Sequence, residues 1–303
     1  MKSLKLKAYA KINLYLDILG KRADGYHDIQ SVMQSLELSD TLLIFEHPRI
    51  EVICDSSFLS PDRNLIWQAA KLLQELYKIK RGALIKLIKN IPVAAGLGGG
   101  SADAAATLIG LNFLWHLHLP LDRLQKLGED LGSDVPFCVK GGTVLVEGKG
   151  EKLIPLPDIP RASVVIARPS FELSTHRVYW EFDRGDTTPL SKLSLMLKAI
   201  RDKDLKEICS NLANILERPV FRDHPEVRRL KETAISAGAL GALMTGSGPS
   251  IFAIVDSEMV TKKVAGELSK ICPTVITTAF YTQGVDILEQ EIRTERDYDL
   301  RGC

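Results

Sequence analysis

PVAAGLGGGSADAA, residues 92–105, runs from one apolar segment, Leu84–Ile91, into another, Ala104–Leu114. Gly96, Gly98, Gly99 and Gly100 lack Cβ, so the backbone can reach positive φ and turn several N–H groups toward one ligand. The helix expected over Ser101–Leu114 places unpaired N–H groups and the positive end of its dipole at the same point. Loop and helix start together predict an anion site suited to a phosphate. A Walker loop is excluded, because no lysine lies between Pro92 and Ala106. A dinucleotide fingerprint is excluded by spacing: Gly96-x-Gly98 is followed three residues on by Ser101, and Gly98-x-Gly100 by Asp103. The competing reading is a linker in which Ser101 or Asp103 merely caps the helix. The apolar flanks argue against it.

A chain of 303 residues, 45% hydrophobic and 25% charged, matches an average globular protein and divides into about two domains at roughly 100–200 residues each. A net charge of +1 argues against a general nucleic-acid binder, so phosphate binding must be local. The five cysteines, Cys54, Cys138, Cys209, Cys272 and Cys303, contain no CxxC pair and read as free thiols of a reducing cytoplasm. His116 and His118 stand two apart at an expected helix end, where their rings should point in different directions and form no metal pair. The N-terminus is partly apolar, but Lys11, Asn13 and Asp17 interrupt it. It reads as a strand, with no membrane span.

Strands are expected over residues 4–18, Ile29–Leu38, Thr41–Glu46, Leu84–Lys89 and Thr143–Glu147, with KRADGYHD as the first turn. Helical spacing predicts Asn64–Ile79, with Asn64 as N-cap, and Leu121–Leu131 before Gly132. Pro155, Pro157 and Pro160 mark a domain boundary near residue 160, giving units 1–160 and 161–303. The second unit mixes strands at Ser163–Ala167, Ala242–Met244, Ile251–Val255 and Val275–Phe280 with helices within Leu190–Glu217, at Pro225–Ala237 and at Glu258–Ile271. The charged tail from Glu289 to Cys303 reads as a solvated terminus.

Phosphoryl transfer needs more than a cradle: a base for the acceptor and positive charge for the transition state. In AKINLYL, period two puts Lys11 and Asn13 on one strand face, where a lysine beside a carboxylate can fix its ionisation. In GSDVPF, residues 132–137, Ser133 or Asp134 could cap the next helix; as an isolated signal Asp134 is a cap. Asp24-Gly25 turns the chain and presents Tyr26 and His27, a ring to stack on a flat heterocycle and a ring to hydrogen-bond it. TGSGPS, residues 245–250, is a second glycine turn holding Gly246, Ser247 and Gly248. Alone it is only a tight connection.

In this order, AKINLYL, RADGYHDIQS, PVAAGLGGGSADAA, GSDVPF and MTGSGPS resemble the GHMP kinases over about residues 8–255. The DGYH and GSDVPF forms resemble members that phosphorylate a cytidyl diphosphate. The resemblance implies a two-domain α+β fold: a ribosomal-S5-like N-terminal domain with a left-handed βαβ unit, a ferredoxin-like C-terminal domain, and the active site in the cleft. ATP would lie along Pro92, Val93, Ala94, Ala95, Gly96, Leu97, Gly98, Gly99, Gly100, Ser101 and Ala102. Asp134 would be the catalytic base and Lys11 its partner; Asn13 and His27 would contact the cytidyl substrate, Tyr26 would stack on cytosine, and Tyr179 would cover its other face. Ala94 and Ala102 stand where many relatives have Gly and Ser, so phosphate contact falls to Ser101 and backbone N–H groups. Mg²⁺ is expected with ATP, its protein ligands unassigned, and the partners are small molecules rather than nucleic acid or membrane. The chain is expected to act as a monomer or weak homodimer. Other small-molecule kinases of the family, acting on homoserine, mevalonate or a sugar, and a non-catalytic nucleotide-binding protein remain the alternatives.

Overall fold

Two long strands dominate the fold. In the computed structural model, which describes residues 2–54 and 64–292, β1 (Lys2–Lys21) and β2 (His27–His47) form an antiparallel hairpin. Its turn closes where the Arg22 N–H donates to the Tyr26 carbonyl at 2.8 Å. The sequence predicts two strands where β2 is one, because Ser39-Asp40 reads as polar punctuation. Both residues are buried instead, and Asp40 accepts hydrogen bonds from the backbone N–H groups of Asn90 and Ile91. A satisfied carboxylate therefore passes through the sheet without ending the strand.

β3 (Glu51–Cys54) runs parallel to β4 (Gly82–Ile88), and β4 pairs with β2. Between them α1 (Leu65–Leu76) begins as predicted, the Asn64 side chain accepting from the Ile66 N–H at 3.0 Å. It stops at Leu76 rather than Ile79, because Lys78 takes φ 52°. The glycine loop leads into α2 (Gly99–Leu114), whose small residues Ala102, Ala104, Ala105 and Ala106 are fully buried. Small side chains let this helix sit inside the first core, with sheet on one side and α1 on another. After it come α3 (Leu121–Gly128), α4 (Val135–Lys140), β5 (Thr143–Gly148) and β6 (Lys152–Pro155). His116 and His118 are both left-handed, and their exposed rings stack at 6.2 Å rather than diverging, because the helix has ended before them.

The second half comprises β7 (Ser163–Arg168), α5 (Thr175–Asp183), α6 (Leu193–Arg201), α7 (Leu205–Ser210), β8 (Ala213–Asn214), α8 (Glu217–Asp223) and α9 (Pro225–Ser236). β9 (Gly241–Met244), β10 (Ile251–Val255), α10 (Glu258–Ser269), β11 (Thr274–Tyr281) and β12 (Val285–Ile292) complete it. The strand order β12-β1-β2-β11-β7-β10-β9 joins both halves, β11 crossing from β7 to β2 and β12 returning to pair with β1. Residues 289–292 thus belong to an edge strand rather than a solvated tail, and the remainder of that tail, Cys303 included, lies outside the described residues.

A second core, centred on Val165, Val227, Leu230 and Phe182, takes in Leu16 and Ile18 of β1. The same strand is therefore packed into both halves. Cys138, Cys209 and Cys272 are buried free thiols. Among the described residues no helix is long and apolar enough to cross a membrane.

Candidate active site

The register of β1 against β2 shifts between Tyr9 and Lys11 and again between Asn13 and Tyr15. Such irregularities re-aim side chains, and here they bracket the two polar residues of AKINLYL. Lys11, its side chain 5% exposed, donates to Asn13 Oδ1 at 2.9 Å and lies 3.2 Å from Asp134 Oδ2. Asn13 Nδ2 donates to Ser31 Oγ at 2.8 Å, and Ser31 Oγ donates to the Tyr15 carbonyl. Asn13 thus holds the lysine, and it also lines a cavity with it. Asp134 stands at the start of α4, yet its side chain makes no capping hydrogen bond. Its carboxylate is turned to Lys11 instead.

The glycine loop is fastened from three directions. The Lys11 N–H donates to the Leu97 carbonyl at 2.9 Å, tying it to β1. Thr245 Oγ1 donates to the Gly96 carbonyl at 3.3 Å, and a Cβ on Gly96 would lie 2.5 Å from the Thr245 carbonyl oxygen. The second glycine turn is therefore the packing surface of the first, a role its sequence alone does not disclose. Arg168 of β7 donates to the Val93 carbonyl at 3.0 Å. Neither Ser101 nor Asp103 caps α2; the cap is Gly98, in the left-handed region at φ 71°, with no side-chain bond. Ala94 is left-handed too, at φ 51°, a conformation that favours glycine.

Asp103 is buried inside α2 and shares Lys89 Nζ, 3.0 Å away, with Asp40. One lysine thus serves two carboxylates at the foot of the loop. Burial pushes the Asp103 carboxyl up to about 8, with Asp40 adding to the rise and Lys89 opposing it. Burial acts to lower Lys89, but the two carboxylates outweigh it and hold the ammonium above the usual range.

Two cavities meet at this loop. The first, about 680 Å³, is lined by Lys11, Asn13, Tyr26, His27, Asp134, Tyr179, Gly246 and Ser247, with Lys21, Lys149, Trp180 and Asp183 joining them. The second, about 500 Å³, follows the loop from Pro92 to Ser101 and ends against Val52, Ile53, Leu65 and Ile66. Gly96, Gly98 and Ser101 line both. Of the residues predicted for the site, Ala102 lines neither cavity and is fully buried, and Gly248 lies against Met244 behind the turn.

At the far end of the first cavity the Tyr179 ring lies 4.9 Å from that of His27, and Tyr26 is exposed with Lys149 5.4 Å above its ring. Burial, and then the charge of Asp134, raise the Tyr179 phenol, so the ring presents a neutral face. Asp183 accepts from His27 Nε2 at 2.7 Å and from Lys21. Burial opposes its ionisation, but the hydrogen bonds from Lys21 and His27 outweigh that and hold the carboxyl below the usual range. Sequence reasoning missed Asp183, Lys21 and Lys149, which carry no motif. A reading of STHRVYWEFD as a helix with apolar residues at Val178 and Phe182 would have placed Tyr179 and Asp183 on one face.

A loop-and-helix phosphate cradle, a lysine–carboxylate pair beside it and two cavities meeting there define a small-molecule kinase. The model of the GHMP kinases N terminal domain matches residues 64–142, and that of the GHMP kinases C terminal region matches residues 196–274. The chain belongs to the GHMP kinase family.

Within that family its relatives include the 4-diphosphocytidyl-2-C-methyl-D-erythritol kinase of Geobacillus sp., 44% identical over 90% of this chain and 95% of that one. The enzyme of the same name from Caldanaerobacter subterraneus subsp. tengcongensis is 41% identical, covering 94% and 99%. A crystal structure of 4-(cytidine 5'-diphospho)-2C-methyl-D-erythritol kinase superposes with a TM-score of 0.79 at 30% identity, covering 91% of this chain and 99% of that one. A homoserine kinase from Cytophaga hutchinsonii shares the fold, with a TM-score of 0.75 at 22% identity over 94% and 97%.

Proposed function

We infer that the protein transfers the γ-phosphoryl group of ATP to the 2-hydroxyl of 4-diphosphocytidyl-2-C-methyl-D-erythritol, a step toward isoprenoid precursors by the non-mevalonate route. The observation that carries the site assignment is the junction at Gly96, Gly98 and Ser101, where both cavities open beside the Lys11–Asp134 pair. ATP occupies the loop cavity, its adenine against Val52, Ile53, Leu65 and Ile66 and its phosphates on the loop N–H groups. The cytidyl substrate fills the larger cavity, between a domain of residues 1–160 and one of residues 161–303, with cytosine between Tyr26 and Tyr179 and beside His27. Lys149 adds positive charge to the wall of that cavity for the substrate diphosphate.

Asp134 takes the proton of the acceptor hydroxyl as its oxygen bonds to Pγ; the bond from Pγ to the β-γ bridging oxygen breaks and ADP leaves. Lys11 orients the carboxylate and balances the negative charge that grows on the transferring group. Asn13 keeps Lys11 in place while itself lining the substrate cavity. Mg²⁺ is bound chiefly by phosphate and water oxygens in such sites, and the Ser101 hydroxyl, at the junction, is the side chain that suits it. When bound it neutralises charge on the β- and γ-phosphates.

The test is ADP release by the purified protein with ATP, Mg²⁺ and a panel of the cytidyl substrate, homoserine, mevalonate and galactose. Turnover of the cytidyl compound is the expected result. Turnover of another panel member alone rejects the assignment.

A further inference from the structure

Lys21 and His27 are cross-strand partners where β1 meets β2, so their side chains leave the sheet on the same side. Both end on Asp183 of α5: Lys21 Nζ on Oδ2, and His27 Nε2 on Oδ1 at 2.7 Å. The His27 side chain is only 8% exposed, and its ring lines the cavity already assigned to the nucleoside. Tyr179 stands four residues before Asp183, one turn earlier on the same helix face, with its ring 4.9 Å from the imidazole. One helix thus supplies both an aromatic face for a base and the carboxylate that holds the neighbouring ring.

A carboxylate only accepts hydrogen bonds, so the proton in this contact belongs to His27 Nε2. In the neutral ring Nδ1 then carries the lone pair. We propose that Asp183 is the positioning residue for base selection: by fixing the Nε2–H tautomer of His27 it makes Nδ1 an acceptor for the 4-amino group of cytosine. The 4-carbonyl of uracil, an acceptor itself, meets a lone pair there and is rejected. Lys21 keeps Asp183 directed at the ring by occupying its second oxygen. This rests on the cytidyl assignment above and adds which atom reads the base and what sets its proton.

The experiment compares kcat and KM for the cytidyl substrate and its uridyl counterpart in the wild type, Asp183→Ala and Asp183→Glu, with ¹⁵N spectra of histidine-labelled protein. The wild type prefers the cytidyl compound and shows His27 protonated at Nε2. In Asp183→Ala the cytidyl-to-uridyl ratio of kcat/KM falls between about tenfold and a hundredfold, the range of a lost hydrogen bond to a charged group. The loss appears as a raised KM for the cytidyl substrate while KM for ATP holds, and Asp183→Glu restores part of it.

An Asp183→Ala protein that folds, binds ATP and keeps the wild-type ratio and tautomer overturns the inference while leaving the cytidyl assignment standing. Failure of the wild type to phosphorylate the cytidyl compound removes both. Should Asp183→Ala not fold, the wild-type spectrum decides alone: a proton on Nδ1 rather than Nε2 refutes the proposal.

Discussion

Replacing Gly98 by alanine tests whether the loop and the lysine form one device. Two effects are separable. Gly98 sits at φ 71° and ψ 18°, where an L-residue costs about 1–2 kcal/mol. The smaller unfolded-state entropy of alanine returns about 0.4–1 kcal/mol, leaving a net loss near 1 kcal/mol. The second effect is steric: a Cβ at this position lies 2.8 Å from Lys11 Cγ and 3.2 Å from Cε. Carbon pairs settle at about 3.5–4.0 Å, so the lysine stem must move by roughly 1 Å. Its ammonium is held at 2.9 Å from Asn13 and 3.2 Å from Asp134, and such a displacement carries both contacts out of hydrogen-bond range.

A misplacement of ~1 Å in a catalytic constellation can lower turnover by about 10². The expected outcome is therefore kcat down by about 10² beside a stability loss near 1 kcal/mol. Steady-state kinetics and a urea unfolding curve measure the two. A double-mutant cycle adds the decisive arm: in a Lys11→Met background Gly98→Ala should lower kcat little further, because both changes act through one group. If Gly98→Ala loses the stability but keeps kcat within about threefold, the reasoning from contact to geometry is wrong.

Two further outcomes concern stability. Gly266 lies exposed inside α10, where an added Cβ would meet nothing within 4 Å, so Gly266→Ala should raise unfolding stability by about 0.5–1 kcal/mol in a urea curve. Asp103 has its carboxyl raised to about 8 by burial, so between the ordinary carboxylate range and pH 8 the native state holds a proton that the unfolded chain releases. Its contribution to stability therefore declines as pH rises through that window, and Asp103→Asn, which has no such proton to lose, should gain on the wild type from pH 5 to pH 8. Parallel stability–pH curves for the two proteins would contradict the linkage.

The glycine loop and the strand face that carries Lys11 and Asn13 were readable because their signals are local, whereas Asp134 taken alone read as a helix cap. Glycines, a helix start and a period-two strand express their physics within a few residues. What stayed hidden depends on partners far along the chain. Thr245 and Gly96 meet across 149 residues, so TGSGPS looks like any tight turn until the loop is laid on it. Ser39-Asp40 looks like a break because a buried aspartate is rare without partners; its partners are Lys89 and the N–H groups of Asn90 and Ile91, some 50 residues away. β12 is polar along much of its length and takes its strand form from pairing with β1 rather than from its own pattern. Asp183 carries no local mark at all. Only the return of α5 to the β1–β2 turn gives it His27 and Lys21.

In the proposed mechanism Asp134, held by Lys11 where the two cavities meet, takes the proton of the substrate hydroxyl. The direct measurement is kcat for Asp134→Asn with the cytidyl substrate, alongside the ATP dissociation constant of the same protein. The amide keeps the shape of the carboxylate but cannot accept the proton. ATP affinity within about twofold of the wild type, with kcat lower by about 10²–10⁴, is expected if Asp134 is the base. A loss of only ~10-fold or less would show that the base lies elsewhere.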